Sequence, residues 1–562
     1  MGRILSIELS RFYQGKRDRV IARRMLLNFR ADDEFSMTEN RGVSRREFIA
    51  LASASALAVA PGCRSGKTTT ETPAASPDPL LELTAVNVVA KMRNGEVTAE
   101  RYASALLERC QQGKALNAFI TLPQEQVLEA ARAADRLRAS GAKLGALHGL
   151  PIPVKDSVNT KDMPTTGGTP ALRNFRPKED APVVRTLLGA GAIVLGKTNL
   201  HELSWGWTSN NLAFGAVHNP YDVKRIPGGS SGGTAVAVAS RMAPLGVAED
   251  TEGSIRVPAA MCGIAGFRPT TGRYSTAGAV PISPLFDQVG PHARRVGDLA
   301  LFDSVVTGDW SSLSPTELKG TKLGVGRNYW FSGLDSEVER VTNEALKKLQ
   351  AAGAEIVEAD VPDLARLIKL ITNQVQLHDV RFALPKYLEE YGAGVTYDQL
   401  VSKASADIQR DFRELPSGGK FFVSQREYQS VRDQHLPRLR EVYRQYFAGT
   451  GVAAIVFPAT MIPPPLIGED VEVTIGGKKV AFETAVSRNI APGSSAGIPG
   501  LVLAAGIASG GLPIALEFDG PAGSDRSLLA LGLSLERVLG TVPAPSQKER
   551  ASQYAPSKSP PT

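Results

Sequence analysis

The chain has 562 residues, enough for a large buried core, and its 43% hydrophobic and 22% charged content is that of an ordinary globular protein. Its formal net charge of +7 does not describe a nucleic-acid-binding face: residues 1–62 hold 11 Lys/Arg against 7 Asp/Glu, which leaves only +3 on the other 500. Three cysteines (Cys63, Cys110, Cys262) in no paired spacing, and six histidines in no metal-ligand spacing, argue against a disulfide framework or a zinc site, so no metal and no cofactor is expected.

Residues 1–36 look unlike the start of any targeting signal, and Met37 is a good alternative start; the first 36 are expected to be a non-native or disordered extension. Ser44-Arg45-Arg46-Glu47-Phe48-Ile49 then opens an uncharged, Ala-rich run that ends at Pro61-Gly62-Cys63. This predicts a twin-arginine-type export signal over 37–63 and a destination outside the cytoplasm, periplasmic or membrane-anchored. The run is shorter than the roughly 20 apolar residues a spanning helix needs. Cys63 is a candidate for lipid attachment; cleavage after Ala60 competes, with Pro61 counting against it. Polar, Thr- and Pro-rich residues 64–79 read as a flexible linker, and 546–562 as a disordered tail.

The body of the chain opens with helical periodicity at 80–91, 98–111 and 124–140. Gly149-Leu150-Pro151-Ile152-Pro153-Val154-Lys155 follows, a strand-like apolar run with one lysine either snorkelling from a strand end or truly buried. Helix 181–190 and strand 192–196 begin an α/β alternation, and a Trp-bearing loop (Trp205, Trp207) has the character of a pocket wall. Two Gly-rich serine turns, GGSSGG at 228–233 and Asp250-Thr251-Glu252-Gly253-Ser254, flank a small-residue helix and strand over 234–248. Beyond a turn-rich loop at 275–288, helix 296–307, strand 322–326, helix 336–352 and strand 355–358 form another β-α-β unit. Residues 365–444 read as a helical, lid-like insertion; 452–458, 501–505 and 512–517 return to buried strands, and 526–539 closes as a helix. A single α/β domain over 80–545 is the expected organisation.

The serine turns carry the chemistry. Gly228-Gly229-Ser230-Ser231-Gly232 formally matches the G-x-S-x-G nucleophile elbow, but that elbow needs an apolar strand immediately upstream, and 219–227 is polar and proline-broken. The alternative is a Ser/Ser/Lys set in which a desolvated lysine, here Lys155, is the base. At this point the chain resembles the amidase signature family: Lys155, the GGSSGG turn, and Glu252-Gly253-Ser254-Ile255-Arg256 with Pro258-Ala259-Ala260 occur in that family's order. Gly149-Leu150-Pro151, Gly196-Lys197-Thr198-Asn199 and Gly511-Leu512-Pro513 extend the likeness over 80–545.

The resemblance implies a central mixed β-sheet flanked by helices on both faces, and an amidase mechanism without cofactor. Carried over, Ser254 would be the nucleophile, Ser230 the bridging proton relay after a cis Gly229–Ser230 bond, and Lys155 the base. Backbone N–H groups of Thr251, Glu252, Gly253 and Ser254 would form the oxyanion hole; Ser231 would brace the network, with Asp250 and Arg256 as a structural pair behind it. Glu252 stands where many members have glycine. Stretches 205–214 and 518–526, and Arg488-Asn489, look most like indoleacetamide and mandelamide hydrolases, implying an arylacetamide substrate. The expected partner is a small-molecule amide, with membrane contact only through a lipid on Cys63, no nucleic acid, and a homodimer left open. Rival readings are a glutaminase-type amidotransferase subunit, a lipid amide hydrolase and, from another class, an exported ligand-binding lipoprotein.

Overall fold

In a computed structural model, which describes residues 78–545, the apolar runs of the sequence become strands of one large sheet. The expected extension at 1–36, the export signal at 37–63 with Cys63, all but the last two residues of the 64–79 linker, and the tail at 546–562 lie outside the described residues. Numbered along the chain, the strands are β1 (Phe119–Thr121), β2 (Pro151–Lys155), β3 (Ile193–Thr198), the short pair β4 (Asn210–Asn211) and β5 (Gly215–Ala216), and β6 (Leu245–Asp250). There follow β7 (Ala265–Arg268), β8 (Gln288–Ala293), β9 (Lys322–Val325), β10 (Glu355–Glu358), β11 (Ala454–Pro458), the hairpin β12 (Glu472–Ile475) and β13 (Lys478–Ala481), β14 (Gly500–Ile507) and β15 (Pro513–Asp519). Eleven of them join in the order β1-β3-β2-β6-β8-β7-β14-β15-β11-β9-β10.

The sheet is mixed, as expected. β3-β2-β6 and β11-β9-β10 are parallel, while the middle of the sheet, from β6 to β11, runs antiparallel. Burial explains why the strands read as continuous apolar runs rather than alternating ones: every residue of β2 and of β6 is buried. The helix Gly232–Ala239 (GGTAVAVA) is buried along its whole length, and its small side chains let it pack closely on β2 and β6.

Strand β8 begins where the expected loop at 275–288 ends, in a stretch to which the sequence reading gave no element, and it contains Gly290 and Pro291, residues that usually interrupt strands. It instead lies in the middle of the sheet, with Gly290 opposite Ala248 and Pro291 opposite Val247. The glycine is there for space: a Cβ on it would stand 2.3 Å from the Phe267 carbonyl oxygen. Strands β1 and β7, of three and four residues, were likewise not anticipated, being too short to show a period.

The insertion is helical, as expected, and starts with the 27-residue helix Leu364–Glu390. Shorter helices Tyr397–Lys403 and Ala406–Arg413 follow, and Leu436–Thr450 leads back to β11. Asp379 of the long helix accepts a 2.6 Å hydrogen bond from Ser283, and the Tyr387 hydroxyl bonds Asn159 Oδ1 at 2.5 Å, so the insertion is fastened to loops at the strand ends. Among the described residues no helix is long and apolar enough to cross a membrane.

Substituting Gly290→Ala forces β7 and β8 apart. The expected loss is about 1–3 kcal/mol of stability, the usual range for overpacking, read from the urea unfolding midpoint.

Candidate active site

Two strand ends meet at the site. β2 and β6 are parallel neighbours, with Val154 opposite Val247, so Lys155 ends one strand beside Glu249 and Asp250 at the end of the other. Successive side chains of a strand point to opposite faces. Glu249 accordingly turns to Lys155, with Lys155 Nζ 2.7 Å from Glu249 Oε1, whereas Asp250 turns to arginines. The choice left open for Lys155, strand-end snorkel or burial, resolves as burial: it is 0% exposed. Burial lowers its pKa from the ordinary lysine value, against the opposing pull of Glu249.

Lys155 Nζ also lies 2.6 Å from Ser230 Oγ. Ser230 follows a cis peptide bond from Gly229, as the family likeness implied. Its carbonyl accepts from the His201 N–H at 3.1 Å and from Ser209 Oγ at 3.2 Å, and Ser209 Oγ also donates to the Gly228 carbonyl at 2.9 Å. Ser231 leads into the helix Gly232–Ala239 without capping it. Its hydroxyl donates to the Glu249 carbonyl at 3.0 Å and its N–H to the Ser254 carbonyl at 3.2 Å, which ties both serine turns to the end of β6.

The turn from Asp250 to Arg256 is shaped by the Asp250 carboxylate. Oδ1 accepts from the Gly253 N–H at 2.8 Å and Oδ2 from the Ile255 N–H at 2.9 Å; the guanidinium groups of Arg256 and Arg268 close on the same oxygens at 3.1–3.2 Å. Burial alone would raise this carboxyl, but the two guanidiniums overcome it and hold Asp250 well below the usual carboxylate range. Arg256 reaches on to Glu517 Oε1 at 2.6 Å and to Ser494 Oγ. The expected Asp250–Arg256 pair is thus one part of a larger buried network that includes Arg268 and Glu517.

The expectation for Gly253 needs correcting. Its N–H is committed to Asp250 and is not a donor into the cavity. Its φ of 113° is the left-handed backbone that favours glycine, and this curl carries the turn past Asp250. Glu252 is not among the residues with positive φ, so a side chain is tolerated at that position. The N–H groups of Thr251, Glu252 and Ser254 find no acceptor among the described residues. Nor does Ser254 Oγ find a partner, and no hydrogen bond joins it to Ser230.

Thr251, Glu252 and Ser254 line a cavity of about 240 Å³. Its apolar walls are Trp205 and Trp207 from the loop after β3, Ile282, and Leu377 and Phe421 from the insertion. Polar groups Asn373, Gln376, Asp411 and Glu483 complete it. Glu252 accepts a hydrogen bond from Gln376 Nε2. Burial pushes the Glu252 carboxyl up to about 8, with Glu483 adding to the rise.

A buried carboxylate at the site escaped the sequence reading. Glu249, whose Oε1 also accepts from Ser157 at 3.3 Å and from Ser204, was passed over because a charged residue ending an apolar strand reads as its solvated tip. The signal available was its adjacency to Asp250: two acids in succession on a buried strand must serve opposite faces. Lys197 is buried too, but it bonds Thr165 Oγ1 and the Val158 carbonyl and pairs with Asp156 at 3.4 Å. Burial therefore does not distinguish Lys155; contact with Ser230 does.

Residues 101–529 match the family model described as Amidase. The chain belongs to the amidase signature family. An indoleacetamide hydrolase of Agrobacterium vitis is 37% identical over 450 residues, which covers 80% of this chain and 95% of that protein. A mandelamide hydrolase of Pseudomonas putida is 35% identical over 489 residues, covering 84% and 94%. The crystal structure of an amidase shares the fold with a TM-score of 0.73 and 30% identity, over 82% of this chain and 100% of that one. The protein is an enzyme of this family, a hydrolase of amide bonds.

A buried Glu252 that keeps its proton to about pH 8 makes stability fall with rising pH. The unfolded chain gives up that proton near pH 4.5, so folding must hold it on between pH 4.5 and 8. Glu252→Gln removes the titration. Thermal unfolding at pH 5 and pH 8.5 should show wild type losing melting temperature relative to the variant at the higher pH; a constant difference would contradict a protonated Glu252.

Proposed function

We propose that this amidase hydrolyses a primary arylacetamide through an acyl-enzyme on Ser254, with Ser230 as proton relay and Lys155 as base. The observation that carries the reading is that Ser254 lines the aromatic-walled cavity while its carbonyl accepts from the N–H of Ser231, the residue after the Ser230 that contacts buried Lys155. A weak nucleophile needs a base in reach and donors for the oxyanion. Lys155 and Ser230 answer the first need, and the uncommitted N–H groups of Thr251, Glu252 and Ser254 answer the second.

In the first half-reaction Ser254 Oγ attacks the amide carbonyl carbon. Its proton passes to Ser230 as the Ser230 proton passes to Lys155 Nζ, and the carbonyl oxygen becomes an oxyanion against the backbone N–H groups. The relay then runs backwards to protonate the leaving nitrogen, the C–N bond breaks, and ammonia departs. Water attacks the acyl-enzyme by the same relay and releases the acid. The transfer requires Ser254 Oγ to come within hydrogen-bond distance of Ser230 Oγ in the substrate complex, as catalytic contacts commonly do.

Substrate class rests on the walls. Trp205, Trp207 and Phe421 suit an aryl group, and a Glu252 that keeps its proton near neutral pH adds no charge against a neutral amide. The two hydrolases described above act, by name, on indoleacetamide and mandelamide, both aryl-bearing amides. The twin-arginine pattern at 37–63 supports work outside the cytoplasm.

Ammonia release from a panel of aryl and aliphatic primary amides tests both parts. Arylacetamides should be the best substrates; a preference for short aliphatic amides would remove the aryl assignment. Ser254→Ala should lose roughly 10⁴-fold or more in turnover with unchanged circular dichroism, and also its labelling by a fluorophosphonate. Because the neutral lysine is the active form, activity should rise toward alkaline pH, and an acidic optimum would count against Lys155 as base.

A further inference from the structure

Glu249 is a buried carboxylate to which the relay above gives no task. It is 4% exposed, and its Oε1 is the meeting point of three donors: Lys155 Nζ at 2.7 Å, Ser157 Oγ at 3.3 Å and Ser204 Oγ. Other titratable groups stand around the lysine: Asp250 beside Glu249 on β6, Asp287 just before β8, His292 on β8, and His201 after β3. Each is committed elsewhere. Asp250 holds Arg256 and Arg268, Asp287 accepts from Thr251 Oγ1 and the Ser283 N–H, His292 Nε2 meets the Ile255 carbonyl, and His201 Nδ1 meets Thr208. Among the described residues Glu249 is the acid in contact with Nζ.

We propose that Glu249 is a positioning residue for Lys155: it turns the amine so that its lone pair faces Ser230, and it supplies the counter-charge when the amine becomes an ammonium. The inference rests on Lys155 acting as the base. A neutral lysine has two N–H bonds and one lone pair. With one N–H held on Glu249 Oε1 at 2.7 Å, the lone pair is left for Ser230 Oγ at 2.6 Å. As the Ser254 proton moves through Ser230, positive charge appears on Nζ at a position water does not reach. A fixed acceptor 2.7 Å from Nζ answers that charge without reorganising, and the proton itself stays on nitrogen. The geometry carries a compromise. Burial drives Lys155 toward the neutral base, and Glu249 restores part of its affinity for the proton, which is what lets it accept one.

The rate of Ser254 labelling by an alkyl fluorophosphonate, measured from pH 6 to 10, tests this without a known substrate. Glu249→Gln keeps the shape and removes the charge. Its acid limb should move to lower pH by about one unit or more, and its alkaline plateau should fall roughly tenfold. Glu249→Asp, which retains the charge, should keep the limb near the wild-type pH. Ser204→Ala provides a variant of opposite sign should the glutamine form fold poorly: with one donor fewer on the carboxylate, Lys155 holds its proton more tightly and the limb moves to higher pH. A labelled wild type with a superimposable Glu249→Gln profile overturns this proposal alone, as does a Ser204→Ala limb displaced to lower pH. A wild type that is never labelled and releases no ammonia overturns the Ser254 reading beneath it.

Discussion

The Asp250 carboxylate, buried between two guanidinium groups and two backbone N–H groups, is the contact on which the rest of the site depends. An isolated carboxylate at that depth would be prohibitively unfavourable, so its partners cannot be removed singly without leaving a charge uncompensated. It curls the chain at Gly253, presents Ser254 to the cavity, and through Arg256 ties the turn to β15 at Glu517. It also takes up the Gly253 N–H, while those of Thr251, Glu252 and Ser254 find no acceptor among the described residues.

The opposite face of the same strand does different work. Glu249 and Asp250 are adjacent acids with different partners: one faces a buried lysine, the proposed base, and the other faces arginines, which keep their protons. A sheet strand separates them simply because its side chains alternate. The end of β6 thus brings the Thr251–Ser254 turn close to Lys155 at the end of neighbouring β2, with Trp205, Trp207 and residues of the insertion lining the cavity over that turn.

Much of this was legible in the chain. The helical insertion could be read from periodicity and composition, whereas the mixed sheet, the cis bond before Ser230 and the pairing of Ser230 with Lys155 were expected from the family resemblance that the motifs carry. What could not be read depended on register and distance. Gly290 and Pro291 look like a loop until Phe267 is known to pass within 2.3 Å of where a Cβ would sit. Glu249 looks like a solvated strand end until β2 is placed beside β6. The commitment of the Gly253 N–H to Asp250 is a matter of backbone direction, on which residue identity is silent. Lys197, buried like Lys155, shows the reverse failing: a suggestive residue type whose partners make it structural.

The long helix Leu364–Glu390 has a consequence for how such enzymes diverge. It contributes Asn373, Gln376 and Leu377 to the cavity, and fastens itself to the strand-end loops through Asp379 and Tyr387, yet it supplies no part of the Lys155–Ser230–Ser254 line. The bond-making groups of the proposed mechanism all lie between 155 and 254, whereas Asn373, Gln376, Leu377 and Phe421, a large part of the cavity wall, come from the insertion. Inheritance can revise the second while leaving the first untouched, so one reaction can be passed among many amides by exchanging a wall.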